Sequence, residues 1–110
     1  MGSSNENYAY TAGLIDGEGH VSIVNRPDRR TGVPTIVVEM SSYEVITYLR
    51  DTFNLGRIYR CKKRKDHYKQ TWRWKVTYRQ AHSVARKIYP YIREKKDKMY
   101  CILQYYPENA

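Results

Sequence analysis

The chain has 110 residues, a length expected for one domain with a modest hydrophobic core. Its 20 lysines and arginines against 11 aspartates and glutamates give a formal charge of +9, the footprint of a chain that binds a polyanion. A membrane surface would attract the same charge, but no basic amphipathic anchor and no apolar run of spanning length is visible, so no membrane partner is expected.

Residues 1–6 are polar and are expected to be disordered. A first helix is expected from about Asn7 to Gly17, with Ser4, Asn5 or Asn7 available as N-cap. Ala9, Gly13 and Gly17 recur every four residues, so one stripe of that helix is nearly without side chains. A second helix backbone can come very close along such a stripe, and tight pairing between two copies of the chain is its expected use. Leu14 and Ile15 then face the chain's own core. Asp16 and Glu18 stand at the C-terminal end, where the helix dipole already concentrates negative charge. Two copies meeting through the stripe would crowd four carboxylates around one axis. A hard divalent cation, held by carboxylate and carbonyl oxygens with phosphate as co-ligand, answers that crowding. The alternative is a glycine-rich C-cap with solvated acids.

His20 to Arg26 alternates as a strand, with Val21 and Ile23 on one face and His20, Ser22, Val24 and Arg26 on the other. A loop with Arg29 and Arg30 leads to a second strand, Thr35 to Ser41, which pairs with the first as a hairpin. Ser42 caps a helix from about Tyr43 to Phe53, buried through Ile46, Leu49 and Phe53. Gly56 opens a third strand, Arg57 to Lys63, and a basic turn leads to a fourth, Tyr68 to Tyr78. There Trp72, Trp74, Val76 and Tyr78 alternate with Thr71, Arg73, Lys75 and Thr77. Beside Val76 the two tryptophans fit the core better than a base-stacking platform. Helices over about Arg79 to Tyr89 and Lys96 to Tyr105 follow, separated by Pro90.

This order gives an α+β domain, αββαββα, with one four-stranded antiparallel sheet. One sheet face is covered by helices. The other is expected to carry Ser22, Val24, Arg26, Thr35, Val37, Glu39, Arg57, Tyr59, Lys63, Lys69, Thr71, Arg73 and Lys75, with Arg29 and Arg30 at its rim. Such a face can lie in a DNA major groove, reading base edges while the basic rim holds phosphates. Cys61 and Cys101 make no disulfide framework or metal spacing and are expected to be free thiols, and the three histidines are scattered.

Thr11 to Gly19, Thr-Ala-Gly-Leu-Ile-Asp-Gly-Glu-Gly, resembles the signature of the LAGLIDADG homing endonucleases. The departures are Thr11 for the leading Leu, Gly17 for the second Ala, and Glu18 for the usual Asp, which keeps the carboxylate. The element order is similar to the family's domain, whose sheet forms a DNA-contacting saddle. Pro90-Tyr91-Ile92-Arg93-Glu94-Lys95, within Ala81 to Gln104, is similar to the family's late Pro-aromatic-aliphatic break and following lysine. The resemblance implies Glu18 as catalytic, metal-binding carboxylate, Gly17 as a carbonyl ligand, and Lys95 as the active-site cation, with Lys96 the alternative register. Ala9, Gly13 and Gly17 would meet at a homodimer's helix crossing. Many relatives place a Gln near the end of the second strand, where this chain has Glu39 or Met40.

The implied activity is metal-dependent hydrolysis of double-stranded DNA at a long pseudopalindromic site, with Mg²⁺ or Mn²⁺. A mobile intron or similar element would encode such an enzyme, which would act in a bacterial or phage-host cytoplasm or an organelle. Two other functions stay open: a DNA-binding regulator that has lost cleavage, and an RNA-splicing maturase. Metal-dependent cleavage separates the first from the second. Preference for structured intron RNA marks the third.

Overall fold

The computed structural model describes residues 4–24, 32–63 and 65–105. Its elements are α1 (Ser4–Glu18), β1 (Gly19–Val24), β2 (Val33–Met40), α2 (Tyr43–Phe53), β3 (Arg57–Arg60), β4 (Trp72–Thr77), α3 (Tyr78–Ile88) and α4 (Lys96–Tyr105), with a 3-10 turn over Tyr89–Tyr91. The four strands form one antiparallel sheet in the order β1-β2-β4-β3. All four α-helices pack against the sheet. The fold is therefore the α+β arrangement expected from the sequence. No helix among the described residues is long and apolar enough to cross a membrane.

Local chemistry explains where the elements begin and end. Ser42 Oγ accepts a hydrogen bond from Val45 N at 3.2 Å, satisfying a donor that the first turn of α2 would otherwise leave open. Asn54 ends that helix in the left-handed region at φ 54°. Ile46, Leu49 and Phe53 are buried, as the 3.6-residue period requires. On β4, Trp74 and Val76 are buried while Arg73 is exposed on the opposite face. Trp74 Nε1 donates to the Leu55 carbonyl at 3.0 Å, so its polar atom is satisfied within the core. Trp72 packs on Tyr43 with ring centroids 4.6 Å apart. Both tryptophans are thus packing residues.

Several boundaries differ from expectation; β2 begins at Val33 rather than Thr35, and Tyr78 opens α3 rather than ending β4. The first helix begins at Ser4, ahead of Asn7, because Asn7 Oδ1 accepts from Tyr48 Oη at 2.8 Å and its side chain is turned to α2. Ser4, Asn5 and Glu6, expected to be disordered, are helical; residues 1–3 lie outside the described residues. β3 ends at Arg60 and β4 starts only at Trp72, so Lys63, Lys69 and Thr71 sit in the connection. Cys61 N still donates to the Thr71 carbonyl at 3.0 Å, but Gln70 Nε2 then takes the Cys61 and Thr71 carbonyls and replaces the ladder. Thr11, the unusual signature residue, is fully buried, with its hydroxyl donating to the Asn7 carbonyl at 2.8 Å. That bond four residues back lets a hydroxyl occupy an apolar position.

Gly56 sits tightly between α2 and the sheet. Its φ is +92°, and a β-carbon there would lie 2.5 Å from Trp74 Nε1 and 2.9 Å from Val76 Cγ1. Gly56→Ala should therefore destabilise the fold by roughly 2–4 kcal/mol, combining left-handed strain with overpacking against an immobile indole. Urea unfolding of both proteins checks this; a loss below about 0.5 kcal/mol would show that the β3 entry relaxes freely.

Candidate nucleic-acid interface and active site

Strand register brings distant residues into rows across the open sheet face. One row runs His20, Val37, Lys75, Arg57, and the next runs Glu39, Arg73, Tyr59. A third holds Ser22, Thr35 and Thr77. Glu39, Arg57, Tyr59 and Arg73 are exposed, and Val37 and Lys75 are half-buried. Thr35 corrects the sequence reading: it belongs to this face by register but is only 3 % exposed, and its hydroxyl donates to the Val33 carbonyl at 2.9 Å. On the central strand, between Ser22 and Thr77, it supports the surface and does not present its hydroxyl there. Ser22 is also partly covered, with its Oγ buried and without a hydrogen-bond partner among the described residues. His20 and Thr77 share the face and were signalled by the same alternation. Val24 ends β1, paired with Val33, while Arg26, Arg29 and Arg30 lie outside the described residues.

Charge on this face is organised around one carboxylate. Arg73 Nη2 donates to Glu39 Oε1 at 2.9 Å, and Thr71 Oγ1 donates to Glu39 Oε2 at 2.9 Å. These bonds, Arg73's foremost, hold the Glu39 carboxyl below its ordinary pKa against a smaller upward push from partial burial. Glu39 raises the Arg73 pKa in return. Glu39 and Met40 end β2, and the Glu39 carboxylate is committed to Arg73 and Thr71. A cavity of about 680 Å³ opens beside β3, lined in part by Arg57, Lys75 and Gln80.

The second region is the C-terminal end of α1. Asp16 Oδ2 accepts from Arg93 N at 2.8 Å and Oδ1 from Lys95 N at 3.0 Å. Lys95 Nζ returns a bond of 2.7 Å to the Asp16 carbonyl. Partial burial pushes the Asp16 carboxyl upward, but the backbone N–H groups of Arg93, Lys95 and Glu94 and the Lys95 ammonium outweigh it and hold the pKa low. The cation that the helix end lacked in sequence is thus delivered from 79 residues away. Asp16 is not one of four carboxylates awaiting compensation, as the sequence suggested, because its charge is met within its own chain. Lys96, the alternative register, is drawn elsewhere, its Nζ lying 5.0 Å from the centre of the Tyr89 ring.

Glu18 is left exposed at the junction of α1 and β1, with no hydrogen-bond or ion-pair partner among the described residues. Gly17 beside it is exposed too, as are Ala9 and Gly13 one and two turns back. A β-carbon placed on Gly13 or Gly17 would meet nothing within 4 Å, so the stripe is open toward solvent. The structure therefore gathers Gly17, Glu18 and Lys95 at one end of α1, where the chain passes into β1. The supporting role of Asp16 was not legible in sequence, since its partners are backbone groups of a distant turn.

No family model matches the sequence, and no curated protein matches it. Solved structures do. The homing endonuclease I-CvuI, in complex with its target in the presence of Ca, superimposes with TM-score 0.73 at 20 % identity over 92 % of this chain and 66 % of that one. The archaeal intron-encoded homing endonuclease I-Vdi141I, complexed with DNA, gives TM-score 0.72 at 18 % identity over 93 % and 67 %. The LAGLIDADG meganuclease I-CpaMI, bound to uncleaved DNA, gives 0.71 at 12 % identity over 88 % and 34 %. The present chain thus spans about two thirds of the first two and a third of the last. An I-CvuI structure has also been solved with Mg. The fold is that of DNA-binding endonucleases. More narrowly, it is the LAGLIDADG homing endonuclease fold.

The Asp16 clamp has a direct test. Asp16→Asn keeps one acceptor but sets an amide donor against a backbone N–H, and should cost about 1–3 kcal/mol in chemical unfolding. Amide exchange should speed up at Arg93 and Lys95 more than in β2. Equal protection in both proteins would show that the turn before α4 holds itself.

Proposed function

We propose that the chain is a site-specific, metal-dependent double-stranded DNA endonuclease that acts as a homodimer on a long pseudopalindromic site. The observation that carries this reading is the exposed Glu18 carboxylate, without a partner among the described residues, two residues beyond the Asp16 carbonyl that holds Lys95, in a fold whose open sheet face is cationic. The likeness to DNA-bound homing endonucleases supports it. Two copies would meet along Ala9, Gly13 and Gly17, where the missing side chains let backbones approach. Each open sheet face would then lie along one half-site, with Arg57, Lys75 and the lysines of the β3–β4 connection toward phosphates. Encoding by a mobile intron and action inside a cell accompany this reading.

The donor set of one chain fits a hard divalent cation in part. Glu18 offers a free carboxylate and Gly17 a nearby backbone carbonyl, whereas Asp16 is engaged by N–H groups. Among the described residues no group of three or more His, Cys, Asp or Glu side chains could hold a metal. The second copy and the DNA phosphates would complete the shell with oxygen ligands. Mg²⁺ bound there would neutralise phosphate charge and supply an activated water. The chain's own contributions follow from its geometry. Glu18 anchors the ligand shell at the strand to be cut. Lys95, with one N–H on the Asp16 carbonyl, keeps two donors for phosphate oxygens. The Asp16 carboxylate fixes the backbone of the turn that carries Lys95, so the ammonium is positioned before substrate arrives.

Strand cleavage at saturating enzyme separates chemistry from affinity. Glu18→Gln should fold, dimerise and bind its target, while cleavage in Mg²⁺ falls by at least about a hundredfold. Lys95→Met should give a smaller loss, since the Glu18 carboxylate stays in place. Cutting at the wild-type rate by Glu18→Gln would remove that residue from the mechanism. Gly13→Leu should separate the two helix backbones and abolish dimer formation and cleavage together, read by sedimentation and nicking. A dimer untouched by that change would place the interface elsewhere.

A further inference from the structure

Glu39 is an anomaly on a surface meant for a polyanion. A carboxylate there repels phosphate, yet this one is held firmly, by Arg73 from the directly opposed position on β4 and by Thr71 from the connection beyond it. Arg73 and Glu39 keep 47 % and 40 % of their side-chain surface exposed, so the pair faces outward while its members are locked to each other. With the Cys61 thiol as a third, weaker donor, the Glu39 carboxylate still has acceptor capacity to spare. Arg73 spends one of its N–H groups on Glu39 and keeps the rest of its donor edge. Side by side, the pair therefore presents donors followed by an acceptor.

That order matches one base-pair edge. In the major groove a G·C pair displays guanine N7 and O6 as acceptors and then the cytosine N4 amino group as donor. An A·T pair displays acceptor, donor, acceptor, which would set the adenine amino group against the guanidinium and thymine O4 against the carboxylate. Resting on the reading of this sheet face as the DNA surface, we propose that Arg73 and Glu39 act as one unit that reads a single G·C pair in each half-site, Arg73 taking guanine and Glu39 the cytosine amino group. Phosphate contacts fall instead to Lys62, which lines the cavity of about 380 Å³ beside the pair. Thr71 is the positioning residue, since its bond to Oε2 keeps the carboxylate from rotating away.

Selection of bound duplexes from a randomised library tests this, with wild type, Glu39→Ala, Arg73→Met and the double variant. Wild type should enrich G·C over A·T by roughly tenfold to a hundredfold at one symmetric pair of positions. Each single variant should flatten preference at that pair of positions only, and the double variant should be no flatter than the singles. Thr71→Val should weaken the same preference to a lesser degree. Glu39→Gln, which preserves shape, repeats the test should the alanine variant fail to fold. Unchanged preference at every position in the Glu39 variants overturns the proposal, as does uniform weakening with a shallower salt dependence, the mark of a phosphate contact. Failure of the wild type to enrich any duplex overturns the DNA-binding reading itself.

Discussion

The contact between Asp16 and the turn before α4 is the constraint on which the rest of the site depends. One carboxylate at a helix C-terminus would ordinarily weaken that helix. Here it is met by two backbone N–H groups and by the ammonium of Lys95, which also takes the Asp16 carbonyl. Three otherwise unfavourable groups are satisfied together: a helix-end carbonyl, a carboxylate beside it, and the free N–H groups of a turn. Because the partners are 77 and 79 residues apart, the contact exists only when α1 and α4 are both docked. Glu18, two residues further on, then projects from a helix end that is already anchored.

The signature segment serves several purposes with few side chains. Thr11, Ala12 and Ile15 point inward and are fully buried. Ala9, Gly13 and Gly17 point outward and leave room. Asp16 faces the neighbouring turn, and Glu18 faces solvent. Helix geometry distributes these roles without conflict, because residues three and four apart share a face while adjacent ones diverge. Gly19 continues the economy at the helix-to-strand change, where a β-carbon would lie 2.8 Å from Ile15 Cα.

Much of this was legible in the sequence where the signal was periodic. The α2 helix follows from Ser42 and the Ile46, Leu49, Phe53 spacing, and its observed span, Tyr43–Phe53, coincides with the expected one. The two faces of β4 follow from strict alternation, with Trp74 and Val76 inside and Arg73 outside. The short extent of β3 was less legible, because Gln70 ends the ladder through side-chain bonds to backbone carbonyls that no pattern announces. The same holds for Thr35, whose alternation places it on the open face but whose neighbours cover it. Asp16 and Glu18 look alike in sequence. Only the folded chain separates a carboxylate consumed by a distant turn from one left free.

The sheet order β1-β2-β4-β3 leaves β3 as an edge strand, four residues long, beginning and ending with arginine. An unpaired edge is a template on which another chain can add a strand, and proteins guard against it with short length and charge. Its four residues supply the first condition, and Arg57 on the open face and Arg60 over Trp72 on the other supply the second. The basicity useful toward a polyanion is therefore also a safeguard of solubility. Neutralising those arginines would open a route to edge-to-edge aggregation.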